Sequence, residues 1–481
     1  MRVNNSFQET AGLNFLSDDQ LEELHLASLE ILQRVGVEVH EDESLKLLRE
    51  AGARVSGSRV RIPSALVKEA LSKAPPRVAI SSRTGERALQ LERRRIYFGT
   101  GSDTPSTIDL ETGERRPAVK EDVVNATRIS DLLPNIDFVM SLALAGDVPK
   151  KTSDVHQFEA MVLNTEKPIL YTAHDREGLK RIFDISEIVA GGSQELAQDP
   201  FLVLYAEPSS PLSHSREALE KLLLCAEKGL PVIYAPAVMS GATGPVTQAG
   251  GVVVANAEIL SGLVIHQLKS AGAPFIAGGG VPPMDMQTSI CSYGDPRRDL
   301  GCISLVRLAQ YYRLPVFTTA GCSDAHSFDQ QAGMEAGFNI LLAGLAGGNL
   351  IHDLGYLGVG MTSSLEMLVL CNETVGVVKR FLRGYEINSE TLALDVIERV
   401  GPAGNFFSDE HTFKHFKGEL TPVQHLNRQN YDGWQAAGGL SFGEGANQWI
   451  RERLAKSEDP SLPDAKMQAI RQLVKKWDQD R

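Results

Sequence analysis

The sequence predicts a closed α/β barrel of the TIM (β/α)8 type, on three observations. Eight short apolar runs recur along the chain, their starts lie roughly 30 to 45 residues apart, the length of a βα unit, and each is nearly continuous in apolar character. Strands covered by helices on both faces read this way. The runs are IYFGTGSD from 96, NIDFVMSLAL from 135, KPILYTAH from 167, DPFLVLYAEP from 199, LPVIYAPAV from 230, APFIAGGG from 273, LPVFTTAG from 314 and NLIHDLGY from 349. Several open on Lys-Pro, Leu-Pro or Ala-Pro, and proline is tolerated at the first residue of a strand.

The flanking elements follow in order. In LSDDQLEELHLASLEILQRVGVEVHEDESLKLLREAGA the apolar residues fall at helical spacing, with Ser17 placed as an N-cap, so two helices start the chain. RVSGSRVRIP alternates about Ser56-Gly57 like a hairpin, and SALVKEALSKAP is helical again. Residues 1–95 therefore read as an N-terminal α+β flank, 96–380 as the barrel core and 381–481 as a C-terminal extension. TIDLETGERRPAVK reads as a hairpin insertion turning at Thr112-Gly113. The tail, with Trp434, Trp449 and Trp477, offers an apolar contact surface, and a homo-oligomer is expected.

A net charge of −13 over 481 residues leaves no surplus of Lys and Arg to neutralise phosphates, which excludes nucleic acid or an anionic membrane as the main partner. The run Arg93-Arg94-Arg95 is too short to change this and reads as a solvated strand end. The opening MRVNNSFQETAGLNF has no apolar signal core, and no stretch supplies the ~20 uninterrupted apolar residues a bilayer crossing needs. A cytoplasmic protein is expected. Cys225, Cys291, Cys302, Cys322 and Cys371 form no C-x-x-C pair and are expected to be reduced thiols.

On this fold, catalytic groups collect at the carboxyl ends of the strands. The residues just past each apolar run are Asp103, Tyr171 with His174, Tyr205 with Glu207, Tyr234, the glycines 278 to 280, the loop GCSDAHSFDQQ, and His352 with Asp353 and Tyr356. Tyrosines alternate with acids around this mouth. Aromatic faces beside carboxylates attract a cation, quaternary ammonium above all, because ring quadrupole and negative charge act together. Each position also has a plain structural use. Glu207 could pair with an internal arginine, His352 could be a satisfied core imidazole, and Asp324 and His326 could cap a helix or bond within their loop. Arg297 and Arg298 could grip a substrate carboxylate or form surface ion pairs. No H-E-x-x-H, no H-x-H after the first strand, no P-loop, no G-x-S-x-G elbow and no kinase set is present, and no metal site is expected. AGGGVPP reads as a tight turn or a close backbone approach.

The segment GCSDAHSFDQQAGMEAGFNILLAGLAGGNLIHDLGYLGVGMTSSLEMLVLCNE, together with SSPLSH and LEILQRVGVEVHEDE, resembles the trimethylamine methyltransferase family, over nearly the whole chain. The resemblance implies a TIM barrel that moves a methyl group from a methylated amine to the cobalt of a corrinoid (cobalamin), presented by a cognate partner protein and not tightly bound to this chain. The family's archetype carries pyrrolysine, which it uses to hold and activate trimethylamine. This sequence has only standard residues and is similar to the branch without pyrrolysine, whose members use quaternary amines such as glycine betaine.

A quaternary ammonium leaves as a neutral tertiary amine, so no general acid is needed and the hard chemistry belongs to the cobalt. The protein must hold the N-methyl group in line, exclude water and orient the rest of the substrate. Positive charge leaves nitrogen as the methyl departs, so an anion in close contact would favour the ground state. Aromatic contacts are therefore expected to dominate, from Tyr97, Tyr205 and Tyr234 or Tyr356, with Glu207 or Asp103 at some distance and His352 or an arginine such as Arg297 anchoring the carboxylate. Tyr171 and His174 complete the expected binding set, and Asp324, His326 and Glu207 are the catalytic candidates. Two other readings stand beside this one: a lyase or aldolase using His174 or His326 as general base, and a betaine-binding module without turnover.

Overall fold

The computed structural model describes residues 12–479 apart from 14, 87, 422 and 457–461. Residues 1–11, part of the opening in which no leader is expected, lie outside the described residues. The strand Tyr97–Thr100 pairs with Leu350–Leu354, and Val316–Thr319, Phe275–Gly278, Val232–Tyr234, Leu202–Ala206 and Ile169–Tyr171 follow in order, every pairing parallel. The ring closes through the second apolar run, which is reduced to isolated parallel bridges, Gly99 to Phe138 and Thr104 to Ala143 on one side and Val139 to Ile169 on the other. Here a side chain takes over part of the ladder. Thr100 Oγ1 accepts from Met140 N at 2.7 Å and donates to Met140 O at 2.9 Å. Gly99 permits the approach, since a Cβ there would lie 2.3 Å from the Phe138 ring. The eight apolar runs thus form the TIM barrel that their spacing predicts.

Ser17 caps the helix Asp18–Glu30 in a reciprocal capping box with Gln20, and Asp42–Glu50 is the second helix. Between them lies a strand the pattern did not reveal. Val37–Val39 pairs antiparallel with Arg59–Arg61 of the expected hairpin and parallel with Ser213–His214, beyond the fourth barrel strand. A second hairpin, Val78–Ser81 with Ala88–Leu91, closes the barrel floor. Its Val78, Ile80, Leu89 and Leu91 join Leu170, Val203, Ile233, Ile276 and Leu350 in one apolar cluster. The insertion about Thr112-Gly113 is a hairpin, Ser106–Ile108 with Arg115–Pro117, extended by Thr362–Ser363 and Tyr356–Leu357.

Arg93 and Arg94 form a turn between the end of Ala88–Leu91 and the first barrel strand; Arg93 is exposed, as expected of a solvated strand end, whereas Arg94 is half-buried and donates to the Leu345 carbonyl. The helix Gln248–Lys269 has the length and composition of a membrane span, but it is buried in the fold against Asp18–Glu30, Ser64–Lys73 and Pro296–Tyr311. After the last barrel helix, Leu365–Arg383, the chain runs through four short helices between 389 and 436. It then returns to the barrel with Phe442–Ala455 and Asp464–Gln479, where Ile450, Val474 and Trp477 are buried.

Candidate functional site

A cavity of about 610 Å³ opens at the carboxyl ends of the strands, with Asp103, Tyr205, Glu207, Tyr293, Arg298 and His352 among its lining. Strand register decides which tyrosines reach it. In-register neighbours of a parallel sheet point the same way and alternate along each strand. Tyr205 lies opposite Ile233 and faces the barrel axis, whereas Tyr171 lies opposite Leu204 and Tyr234 opposite Ala206, so both face the helices. Tyr171 packs edge-on against Phe158 at 5.3 Å, and the Tyr234 hydroxyl bonds His214 Nδ1 at 2.7 Å. Neither enters the cavity, and both leave the expected binding set. Tyr97 leaves it too, because it starts its strand at the floor, where its hydroxyl accepts from Gln90 N at 3.2 Å.

The tyrosines that do line the cavity are Tyr205, Tyr356 and Tyr293, the last in the loop before Pro296–Tyr311. The Tyr205 ring packs on Phe317 at 5.2 Å, and Phe317 stacks on His352 at 4.1 Å. His352 Nδ1 lies 2.9 Å from Asp353 Oδ1 but off the line a hydrogen bond needs, and Nε2 has no protein partner. The Tyr205 hydroxyl donates to Glu207, whose side chain is exposed to the cavity and enclosed by its wall. Burial raises the Glu207 carboxyl above its ordinary pKa, opposed by the Tyr205 hydrogen bond and by His352. Tyr356 bonds Ser102 N and O, and Gly101 leaves room for it, since a Cβ there would lie 2.2 Å from the ring.

Two acids at the mouth sit on left-handed backbone, Asp103 at φ 59 and Asp353 at φ 83. Such geometry costs a non-glycine residue about 1 to 3 kcal/mol and persists where surrounding contacts over-determine it. Asp103 has those contacts, accepting from Gln157 Nε2 at 2.6 Å, Thr172 Oγ1 at 3.0 Å and Ser141 Oγ at 3.3 Å. Asp353 shares Arg298 with Asp299, at 3.5 and 3.3 Å. Arg298 is buried with its guanidinium 5.1 Å from the Tyr293 ring centroid.

Arg298, not Arg297, is therefore the arginine of the site. Arg297 points outward and pairs with Asp295 at 2.7 Å, because successive helical residues point about 100° apart. A signal for this was in the sequence: Arg298 is in helical phase with the buried Gly301, Cys302 and Leu305. Lys221 was missed as well. It lines the cavity from the helix Arg216–Lys228, in phase with the buried Ala218 and Cys225, and donates to the Ala173 carbonyl. Burial lowers its pKa. His174 lines the cavity and bonds Ser153 Oγ at 2.9 Å.

The loop after the seventh strand does not deliver its polar cluster to the cavity. Asp324 accepts from Ser292 Oγ at 2.5 Å and Tyr293 N at 2.6 Å, so it holds Tyr293 in place from behind. His326 lies in a second cavity of about 820 Å³ with Arg115, Glu366 and Asn447. Asp329 caps Gln330–Ala346. Neither Asp324 nor His326 is placed for catalysis in the barrel mouth, because the chain turns outward after Thr319 to begin this helix. The glycine run makes close approaches: a Cβ on Gly278 would lie 2.9 Å from Phe317 O, and Gly279 takes φ 133. Among the described residues no group of three or more His, Cys, Asp or Glu side chains is arranged for a metal ion.

Residues 2–480 match the family described as trimethylamine methyltransferase (MTTB). The chain belongs to this family. It is 32% identical over 474 residues to the trimethylamine methyltransferase MttB of Desulfitobacterium hafniense, spanning 98% of this chain and 95% of that protein. It is 30% identical over 462 residues to the glycine betaine methyltransferase of another strain of that species, spanning 95% and 96%. The crystal structure of the Methanosarcina barkeri monomethylamine methyltransferase shares the fold, with a TM-score of 0.53 and 13% identity over 85% of this chain and 88% of that one. Membership makes the chain a methyltransferase of the trimethylamine methyltransferase family. Its relatives act on different amines, so the substrate has to be argued from the cavity.

Proposed function

We propose that the chain transfers a methyl group from a quaternary amine, glycine betaine foremost, to the reduced cobalt of a corrinoid held by a partner protein. The observation that carries this reading is one cavity in which the Tyr205, Phe317 and Tyr293 rings stand beside Glu207 and Asp103, with unspent hydrogen-bond donors close by. Rings and carboxylates suit a trimethylammonium group, which offers no N–H to bond. A carboxylate would meet Lys221, whose ammonium has three donors, and the unpartnered His352 Nε2. A betaine carries both groups.

In the reaction the C–N bond breaks with its electron pair staying on nitrogen, the methyl carbon passes to the acceptor, and the tertiary amine leaves neutral. No residue has to supply a proton. Burial disfavours the charged form of Glu207, against the Tyr205 hydrogen bond that favours it, and so limits ground-state stabilisation of the ammonium. The cavity is sized for a small amine and not for a corrin ring, so the acceptor would be presented across the opening. The five cysteines are free thiols, in keeping with work beside a reduced metal in the cytoplasm.

The test is anaerobic incubation with reduced corrinoid protein and, separately, glycine betaine, proline betaine, carnitine, choline and trimethylamine, following the cobalt spectrum and the demethylated amine. Methylated corrinoid and dimethylglycine in equal amounts from glycine betaine is the expected result. Methyl transfer from trimethylamine alone would replace the quaternary-amine reading. Binding of betaine without any transfer would leave a binding module.

A further inference from the structure

We infer that Glu258, on the helix Gln248–Lys269, is a positioning residue that sets the spacing between the two ends of the substrate cavity, and with it the preference for an amine that carries a carboxylate, if the quaternary-amine reading on which this rests holds. Glu258 is the one acid of that helix and is fully buried. Its carboxylate faces a single loop. Oε1 accepts from Leu212 N at 2.6 Å and Oε2 from Ser210 Oγ at 2.8 Å. Among the described residues no cation pairs with it. An unpaired buried carboxylate costs stability that a leucine would not, so its use lies in what it holds. Burial raises its pKa to about 7, against those two bonds. Both protonation states keep the same partners, because the acid form accepts from Leu212 N and donates to Ser210 Oγ.

The loop it holds carries cavity groups at both ends. Glu207 opens it after the strand Leu202–Ala206, and Ser215 closes it as the N-cap of Arg216–Lys228, with Lys221 on the second turn of that helix. Between them runs the SSPLSH segment, residues 209–214. Its far end is tied down several times over, since Ser213–His214 pairs with Val37–Val39 and His214 bonds Tyr234 and Ser261. Residues 210–212 have less. Leu212 stands on left-handed backbone at φ 54, a geometry that neighbouring contacts must hold. Those contacts are Glu258 on its N–H and, at 2.8 Å, Glu38 N on its carbonyl. Without the carboxylate the arm between Glu207 and His214 relaxes, and Glu207 shifts relative to Lys221.

A betaine meets both ends at once, with its ammonium by the rings and Glu207 and its carboxylate toward Lys221. A quaternary ammonium without a carboxylate uses one end only. A change of spacing therefore weakens the first and spares the second, while the methyl group of bound betaine, held by the rings, is transferred as before.

The test is calorimetric titration of the full chain with glycine betaine and with tetramethylammonium, for wild type, Glu258→Gln, Glu258→Leu and Ser210→Ala, together with kcat and KM for betaine against reduced corrinoid protein. Glu258→Leu should weaken betaine binding about tenfold or more and Ser210→Ala about threefold, with tetramethylammonium binding and kcat each within about twofold of wild type. Glu258→Gln still accepts from Leu212 N and donates to Ser210 Oγ, so betaine binding should stay within about threefold of wild type. Equal weakening of both amines, or a folded Glu258→Leu with wild-type betaine binding, overturns the inference. Should Glu258→Leu not fold, unchanged betaine binding in Ser210→Ala overturns it. A wild type that binds neither amine removes the quaternary-amine reading itself, and the inference with it.

Discussion

The floor and the mouth of the barrel are built from the same strands and differ by two residues in height. Along the inward face Leu170 gives way to Thr172, Val203 to Tyr205 and Leu350 to His352. At the floor, each inward side chain finds apolar neighbours, including the hairpin Val78–Ser81 with Ala88–Leu91 from below. At the mouth, polar side chains are bought with buried ion pairs and left-handed backbone. Position along a strand, more than residue type, separates packing from chemistry in this chain.

The comparison breaks first at Arg298. Arg298→Met leaves Asp299 and Asp353 without their shared cation, and loss of one partner of a buried ion pair costs about 3 to 5 kcal/mol. Chemical denaturation should show that loss, and a loss below 1 kcal/mol would mean the pair is already solvated. At the floor, Leu350→Ala should cost about 2 to 5 kcal/mol with substrate affinity unchanged.

Smaller effects sharpen the contrast. Tyr205→Leu removes one cation-facing ring and should lower kcat/KM for betaine about tenfold to thirtyfold, the equivalent of about 1.4 to 2 kcal/mol, while folding stability changes little by comparison. Glu207 should govern pH dependence. Its pKa is raised above the ordinary 4.5, so its charge is lost as pH falls through a midpoint above that value, and betaine affinity should weaken over that limb. Titration of Glu207→Gln should give a flat profile there. Tyr234→Phe, one residue further on but facing outward, should leave KM unchanged and cost about 1 kcal/mol through His214.

The barrel was legible because burial of a parallel strand on both faces writes a continuous apolar run into the sequence. The strand Val37–Val39 was not, since it is short and pairs with Ser213–His214 from a distant part of the chain, and neither was the floor hairpin, whose two four-residue strands pair with each other and gain their apolar neighbours from the barrel strands. The site was legible by height and not by facing. Asp103, His174, Tyr205, Glu207, His352 and Tyr356 follow from strand ends alone. Tyr171 and Tyr234 are separated from Tyr205 by register, which needs the neighbouring strand. Tyr293 comes from a loop with no period to read, and its support, Asp324, lies on another loop.

The most direct test is a crystal structure with glycine betaine. The trimethylammonium group should lie within about 6 Å of the Tyr205 and Tyr293 ring centroids, with its carboxylate toward Lys221 and His352. Betaine seated beside His326 in the second cavity, or an ammonium against Glu207 with both rings unoccupied, would contradict the account.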